Sequence, residues 1–325
     1  MKKLMYVELG VLAAVLIVAI LACSYLMSPA FSPDGLYAGN NNVNITLATK
    51  SEPTITWNTY PDDRQITAQQ YFVYDCRKKD FVTISGQKDD RIYPASITKL
   101  FTAYVVMQHL HPDNVYTVGD ALDLVAPGSS VAGLKKGDKV SAKVLLAGTL
   151  LPSGNDAAYV LACETGKVIA DDPTLSAAAA VDVFVTEMNT QAQELGMKNT
   201  HFVNPDGIHD VNHYTTFKDL AILGTLCMDD PSLTQLCSFP SGTVSVNGET
   251  RTWKNTNALI DTSSPYYCPY ATGLKTGQTP NAGSCLLASF KMSGKFLLVG
   301  VFGCPSETDR FDDTLQLFNE AAGIE

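Results

Sequence analysis

Ser96-Ile97-Thr98-Lys99 sets a hydroxyl and an amine three residues apart, at the start of a segment in which Leu100, Val105 and Val106 recur at helical spacing. Positions three apart share one helix face, so the Lys99 amine can reach the Ser96 hydroxyl. A serine is a poor nucleophile until a base takes its proton, and a lysine is that base only where burial or a nearby cation lowers its pKa. Alone the pair is a weak signal, since about one S-x-x-K is expected by chance in a chain of this length. Ser85-Gly86-Gln87-Lys88 repeats the spacing in a strand-to-loop region without helical register and is read as surface turn. Two more groups carry useful chemistry. Ser153-Gly154-Asn155 lies in a Pro/Gly turn that opens a helix, and in isolation is a helix start. Lys275-Thr276-Gly277 lies in an expected strand, and in isolation is a solvated strand edge. A second S-x-N, Ser245-Val246-Asn247, falls on a hairpin turn and is discounted.

Other chemistries fit less well. His209 and His213 have H-x-x-x-H spacing but stand in an Asp/Asn/Gly loop without the glutamate that zinc proteases place between their histidines, so no metal is expected. No G-x-S-x-G occurs, no C-x-x-C occurs, and no cofactor is called for.

The elements that must hold these groups are legible as alternating blocks. Tyr71–Tyr74 and Phe81–Ile84 are expected as strands joined by a polar turn, followed by a helix from Pro94-Ala95-Ser96 to His109. The middle is expected to be mainly helical, over Ser141–Leu151, Asp156–Ala170, Ala177–Leu195 and Thr216–Met228. Gly242–Val246 and Glu249–Trp253 form a hairpin around Asn247-Gly248. Gly273–Thr276, Cys285–Phe290 and Phe296–Phe302 are three further strands, and Thr314–Ala322 a closing helix. Strands at both ends with helices between imply an α/β fold: one antiparallel sheet flanked by helices, with an inserted helical subdomain and a cleft where the two meet.

The chain of 325 residues is 46% hydrophobic and 17% charged, an ordinary globular composition. Its net charge of −10 comes with no Lys/Arg-rich patch, which argues against nucleic acid as a partner. Lys2 and Lys3 precede an apolar run from Leu9 to Met27 that would span roughly 29 Å as a helix. The positive-inside rule then leaves the N-terminus in the cytoplasm and the bulk outside. The expected organisation is a membrane anchor over residues 1–28, an extracytoplasmic linker over 29–63 and a catalytic domain over 64–325. A cleaved signal peptide ending near Ser28-Pro29-Ala30, lipidation at Cys23 and a buried helix are the alternatives for the apolar run. Eight cysteines, seven of them beyond that run, leave an odd thiol and no readable connectivity.

In order, S-x-x-K, S-x-N and K-T-G are the signature shared by penicillin-binding proteins and class A β-lactamases. The chain resembles the low-molecular-mass penicillin-binding proteins, the serine-type D-alanyl-D-alanine carboxypeptidases. Supporting stretches include Tyr93–Leu100, Leu151–Ala157, Leu195–Phe202, Asn204-Pro205-Asp206-Gly207, His213–Thr216, Asn255–Leu259 and Gly273–Gly277. The resemblance covers roughly residues 66–325 and implies a β-lactamase/transpeptidase-like fold. Relatives often continue into a small β-rich domain and a C-terminal amphipathic anchor; here the anchor is expected at the N-terminus. Gln278 stands after the K-T-G where relatives often have an aromatic residue or histidine.

What the resemblance implies is an acyl-enzyme mechanism on peptidoglycan stem peptides ending in D-Ala-D-Ala. Ser96 is the nucleophile, Lys99 its base, and Ser153 the relay that protonates the leaving amine. Lys99 and Lys275 lower each other's pKa. The backbone N–H groups of Ser96 and Gln278, the latter just after Gly277, form the oxyanion hole. Asn155 bonds the substrate amide, and Thr276, Arg310 and Lys275 hold the terminal carboxylate. Arg310 could instead form a plain surface ion pair. β-Lactam antibiotics are the implied inhibitors. Two competing functions are a β-lactamase, for which the expected Glu-x-x-Leu-Asn is missing from the interval between the second and third motifs, and a non-catalytic β-lactam sensor or wall-binding module.

Overall fold

A computed structural model of the chain describes residues 45–47 and 65–324. The apolar run Leu9–Met27 lies outside the described residues. Among those residues no helix is long and apolar enough to cross a membrane.

Strand β1 (Ile45–Leu47) comes first, followed by β2 (Gln70–Asp75) and β3 (Asp80–Ile84). A short 3₁₀ turn, Ala95–Ile97, leads directly into helix α1 (Thr98–His109). Two small strands, β4 (Val115–Thr117) and β5 (Lys139–Ser141), pair with each other before α2 (Ala142–Leu150). Then come α3 (Asn155–Ile169), α4 (Ala177–Glu194), α5 (Phe217–Asp229) and α6 (Pro231–Ser238). The hairpin β6 (Ser241–Val246) and β7 (Glu249–Lys254) precedes β8 (Ala271–Thr279), β9 (Gly283–Met292) and β10 (Lys295–Cys304). Helix α7 (Asp309–Ala322) ends the fold on Gly323, which takes the left-handed C-cap conformation.

Five strands form the main antiparallel sheet in the order β3-β2-β10-β9-β8. The central strands read as almost unbroken apolar runs because both sheet faces are covered. One face packs on α7, where Phe290 stacks on Phe318 at 4.1 Å. The other packs on the helical part, where Phe72 meets Phe217 at 5.2 Å. The expected sheet with its inserted helices is therefore present, with four differences. First, the Asn247-Gly248 hairpin forms as expected, both turn residues having positive φ, but it does not join the main sheet. It belongs to a separate sheet of order β1-β6-β7. Second, Ile45–Leu47, within the span expected to be linker, pairs with Val244, Thr243 and Gly242 of that hairpin. Three residues with two β-branched side chains carry too little periodicity to be seen, and an open sheet edge supplies the partner. Third, α7 starts at Asp309 rather than Thr314, which moves Arg310 into its first turn. Helix α6, begun by an Asp230 side-chain cap with Pro231 at its first position, was not expected either.

The seven described cysteines are all free thiols, and six of them are buried. Burial pushes Cys76 and Cys285 up to about 11 and Cys237 up to about 12, so they act as small apolar side chains rather than nucleophiles.

Candidate active site

Ser96 occupies the 3₁₀ turn rather than the α-helix proper. In that geometry residues three apart eclipse one another, which tightens the contact that the S-x-x-K spacing offers. The Lys99 Nζ donates to Ser96 Oγ at 2.8 Å and to the Asp206 backbone carbonyl at 2.7 Å. Ser96 is half-buried, so a substrate can reach it, whereas Lys99 is completely enclosed. Burial pulls the Lys99 pKa down to about 8, against the weaker opposing pull of the Asp206 and Asp156 charges. The repulsion expected between the two lysines is present but ranks behind burial. Lys275 is also fully enclosed, and burial followed by the charges of Lys99 and Arg310 holds it well below an ordinary lysine. Burial is thus the leading cause at both lysines, and the charge of Lys99 is the next largest at Lys275.

The Ser96 turn is pinned from two sides by glycines. A Cβ on Gly277 would lie 3.0 Å from the Pro94 oxygen and 3.1 Å from the Ser96 nitrogen, so β8 can approach the nucleophile's backbone only without a side chain there. Gly207, with φ +85°, brings the Asn204–Gly207 loop so close that a Cβ would fall 1.9 Å from the Ala95 oxygen. The Thr102 hydroxyl donates to the Pro205 carbonyl at 2.6 Å, and the Gly207 N–H to Asn204 Oδ1 at 2.8 Å. That loop delivers the Asp206 carbonyl to Lys99.

Ser153 lies in the turn between α2 and α3, Asn155 is the first residue of α3, and both helices pack on α1. Ser153 is buried and has φ +61°, a left-handed conformation that a non-glycine residue adopts only where its surroundings force it. Asn155 is buried, and its N–H donates to the Ser130 carbonyl at 2.8 Å. The adjoining Asp156 carboxylate accepts from the N–H groups of Ala132 (2.7 Å), Gly133 (2.9 Å) and Leu134 (2.9 Å), tying the 129–134 loop to the turn. Trp253 on β7 donates to the Ala132 carbonyl at 2.9 Å, which brings the separate hairpin sheet in as a brace.

On β8, Lys275 and Thr276 are buried and Gln278 is exposed. Thr256, quoted above only as part of a longer stretch, meets both of the first two. Its hydroxyl lies 2.6 Å from Thr276 Oγ1 and accepts from Lys275 Nζ at 3.3 Å. Arg310 is buried against the same strand and donates to the Gly277 carbonyl at 3.4 Å. Its ion pair with Glu307 is long, 3.4 Å, to a largely exposed carboxylate, and its Nε has no partner among the described residues. It is not a surface ion pair. Lys99, Lys275 and Arg310 gather three buried basic side chains beside a serine, and an anionic ligand there would favour their charged forms.

The two candidate metal histidines do different things. Val203 donates to His213 Nδ1 at 3.2 Å, which leaves the proton on Nε2 to donate to Thr98 Oγ1 at 2.8 Å. His209 instead packs edge-on against Tyr93. Asp206, Thr256 and His213 lay within stretches noticed in the sequence, but nothing in their spacing marked their contacts.

The fold and site together define a serine peptidase of the acyl-enzyme type. The chain belongs to the D-alanyl-D-alanine carboxypeptidase family, whose model matches residues 56–306. It is 36% identical over 241 residues to a D-alanyl-D-alanine carboxypeptidase of Streptomyces sp. (strain K15), covering 71% of this chain and 79% of that one. It is 31% identical over 236 residues to the D-alanyl-D-alanine carboxypeptidase DacF of Bacillus subtilis, covering 70% of this chain and 56% of that protein. Among solved structures, the Streptomyces DD-transpeptidase aligns with a TM-score of 0.71 and 31% identity over 79% of this chain and 98% of its own. Penicillin binding protein 5 from Haemophilus influenzae aligns with a TM-score of 0.67 and 31% identity over 82% and 73%.

Proposed function

We propose that this protein is a penicillin-sensitive serine D-alanyl-D-alanine carboxypeptidase, removing the terminal D-alanine from peptidoglycan stem peptides at the outer side of a bacterial cytoplasmic membrane. The observation that carries the reading is the 2.8 Å bond between Ser96 and a completely buried Lys99 whose pKa lies near 8.

Ser96 Oγ attacks the carbonyl carbon of the penultimate D-alanine while its proton passes to Lys99. The carbonyl electron pair moves to oxygen and is met by the N–H groups of Ser96 and Gln278; losing one such donor typically costs ~3 kcal/mol. The C–N bond then breaks, and Ser153 relays the proton to the departing D-alanine nitrogen. Water resolves the acyl-enzyme by the reverse proton path. Asn155 holds the peptide amide. Thr276, Lys275 and Arg310 hold the terminal carboxylate, an anion that favours the charged forms of the buried basic groups. Gly277 lets the strand carrying these groups reach Ser96. Residues 64–325 form the catalytic domain, and the apolar run behind Lys2 and Lys3 anchors it through a linker; the length of that run and its flanking charges support this.

Incubation with a pentapeptide ending in D-Ala-D-Ala should release D-alanine, and a fluorescent penicillin should label Ser96 covalently. A folded Ser96→Ala protein that labels undiminished would sink the assignment. The same acyl-enzyme could pass to an amine acceptor, as the name of the Streptomyces DD-transpeptidase suggests for that protein; adding acceptor peptide to the assay distinguishes the two fates. For the β-lactamase alternative, the lifetime of the penicilloyl-enzyme decides. Release over minutes or longer is expected, and steady turnover at about ten per second or faster, a barrier some 4 kcal/mol lower, would overturn it.

A further inference from the structure

Asp206 is 1% exposed, and its side chain has no part in the chemistry described above. One carboxylate oxygen accepts from the Ile208 N–H at 3.2 Å, while the other is buried without a partner among the described residues. A buried carboxylate with a bare oxygen is costly unless a nearby charge compensates it. The loop that carries it is held rigidly by the Gly207 approach to Ala95 and by Thr102, and its main chain already grips Lys99.

We propose that Asp206 is a positioning residue for acylation: its carbonyl aims the Lys99 amine at Ser96, and its buried carboxylate is the counter-charge for the ammonium formed when Lys99 takes the serine proton. This rests on the function proposed above. In the acylation step a proton leaves Ser96 Oγ for Lys99 Nζ as the O–C bond forms and the carbonyl becomes an oxyanion. A new positive charge therefore appears in a site already holding Lys275 and Arg310. Asp206 offsets it: burial raises the Asp206 carboxyl above the usual carboxylate range, the Lys99 charge is the strongest influence pulling it back toward the ionised form, and the carboxylate in turn favours the ammonium. The other ionisable groups facing the pair are Asp156 and Tyr159 from α3, Lys275 from β8, and His213, kept neutral by burial. Asp156 also favours the Lys99 charge, but its carboxylate is already committed to three loop N–H groups and serves both purposes at once.

The test is the pH profile of penicillin acylation by stopped flow. Asp206→Asn keeps the backbone carbonyl and removes the charge. Lys99 then gives up its proton more readily, so the rising limb of the acylation rate should move toward acid by about one pH unit. Well below the limb, the rate relative to its own plateau rises about tenfold. Asp206→Glu, which restores the charge, should bring the limb back. A residue that merely held the loop would lower the rate without moving the limb. If Asp206→Asn does not fold, a carbon-13 titration of the wild-type protein serves instead: the Asp206 carboxyl signal should step at the pH where Lys99 titrates. A limb that stays in place, or a carboxyl signal with no such step, overturns the proposal while leaving Ser96 acylation intact. Failure of the wild-type enzyme to acylate at Ser96 would remove the functional reading itself, and this proposal with it.

Discussion

Replacing Gly207 by alanine would test whether the Asn204–Gly207 loop must touch the nucleophile turn for the site to exist. The added Cβ would fall 1.9 Å from the Ala95 oxygen, 2.4 Å from its carbonyl carbon and 2.9 Å from Thr98 Oγ1. Ordinary contact begins near 3.4 Å, so the two backbones must separate by about 1.5 Å. Neither side can relieve this by rotating a side chain, because the clash is with main chain. Three costs add. A non-glycine residue at φ +85° costs about 1 kcal/mol, the overpacking about 1–3 kcal/mol, and loss of the Lys99 bond to the Asp206 carbonyl about 1–3 kcal/mol. The expected destabilisation is roughly 3–7 kcal/mol, and displacement of the base by about 1 Å should slow acylation about a hundredfold. Gly196→Ala is the matched control. Its φ of +87° imposes the same conformational strain, yet the nearest atom to its Cβ is the Ile222 methyl at 4.0 Å. It should cost only about 1 kcal/mol and leave acylation unchanged. Chemical denaturation and penicillin acylation of both variants provide the comparison. Equal losses at the two positions would mean that backbone conformation alone governs them, and the argument from close approach would fail.

Other expectations follow from the ionisable groups. With Lys99 near 8, the acylation rate should rise along a limb centred near pH 8, and Lys99→Arg should be almost inactive because a guanidinium does not release its proton; a limb near 10.5 would show that the lysine is not buried as described. Arg310→Ala should reduce kcat/KM for peptides with a free terminal carboxylate by about ten- to a hundredfold, on the order of 1.5–3 kcal/mol, and spare esters and amides lacking it. Equal losses on both substrate types would assign Arg310 to structure. Burial lowers His213 from 6.5 to about 3, so the unfolded chain takes up the proton first as the pH falls. The associated stability is present above pH 6.5 and is lost between 6.5 and 3, by at most about 5 kcal/mol. His213→Gln should flatten that part of the stability profile, as measured by urea unfolding across the range, and an unchanged slope would contradict a neutral buried histidine.

The order of S-x-x-K, S-x-N and K-T-G, and the elements that carry them, were legible because each is a local fact. A 3₁₀ or helical turn brings Ser96 and Lys99 together whatever the rest of the chain does. Asn247-Gly248 makes its turn because those two residues tolerate positive φ, and apolar periodicity marks most helices to within a residue or two. What could not be read was decided across long separations. The carbonyl that holds Lys99 comes from 107 residues away, and the histidine on Thr98 from 115. Thr256 joins Lys275 to Thr276 only because the chain returns along β8. Arg310 was recognised by resemblance, but its burial depends on α7 starting a turn early, and the pairing of Ile45–Leu47 with the hairpin depends on an edge that no local pattern announces. Periodicity and turn chemistry act between neighbours, so they specify which side chains an element presents. Desolvation, close backbone approach and the sign of a nearby charge depend on what lies opposite, and those set the basicity of Lys99.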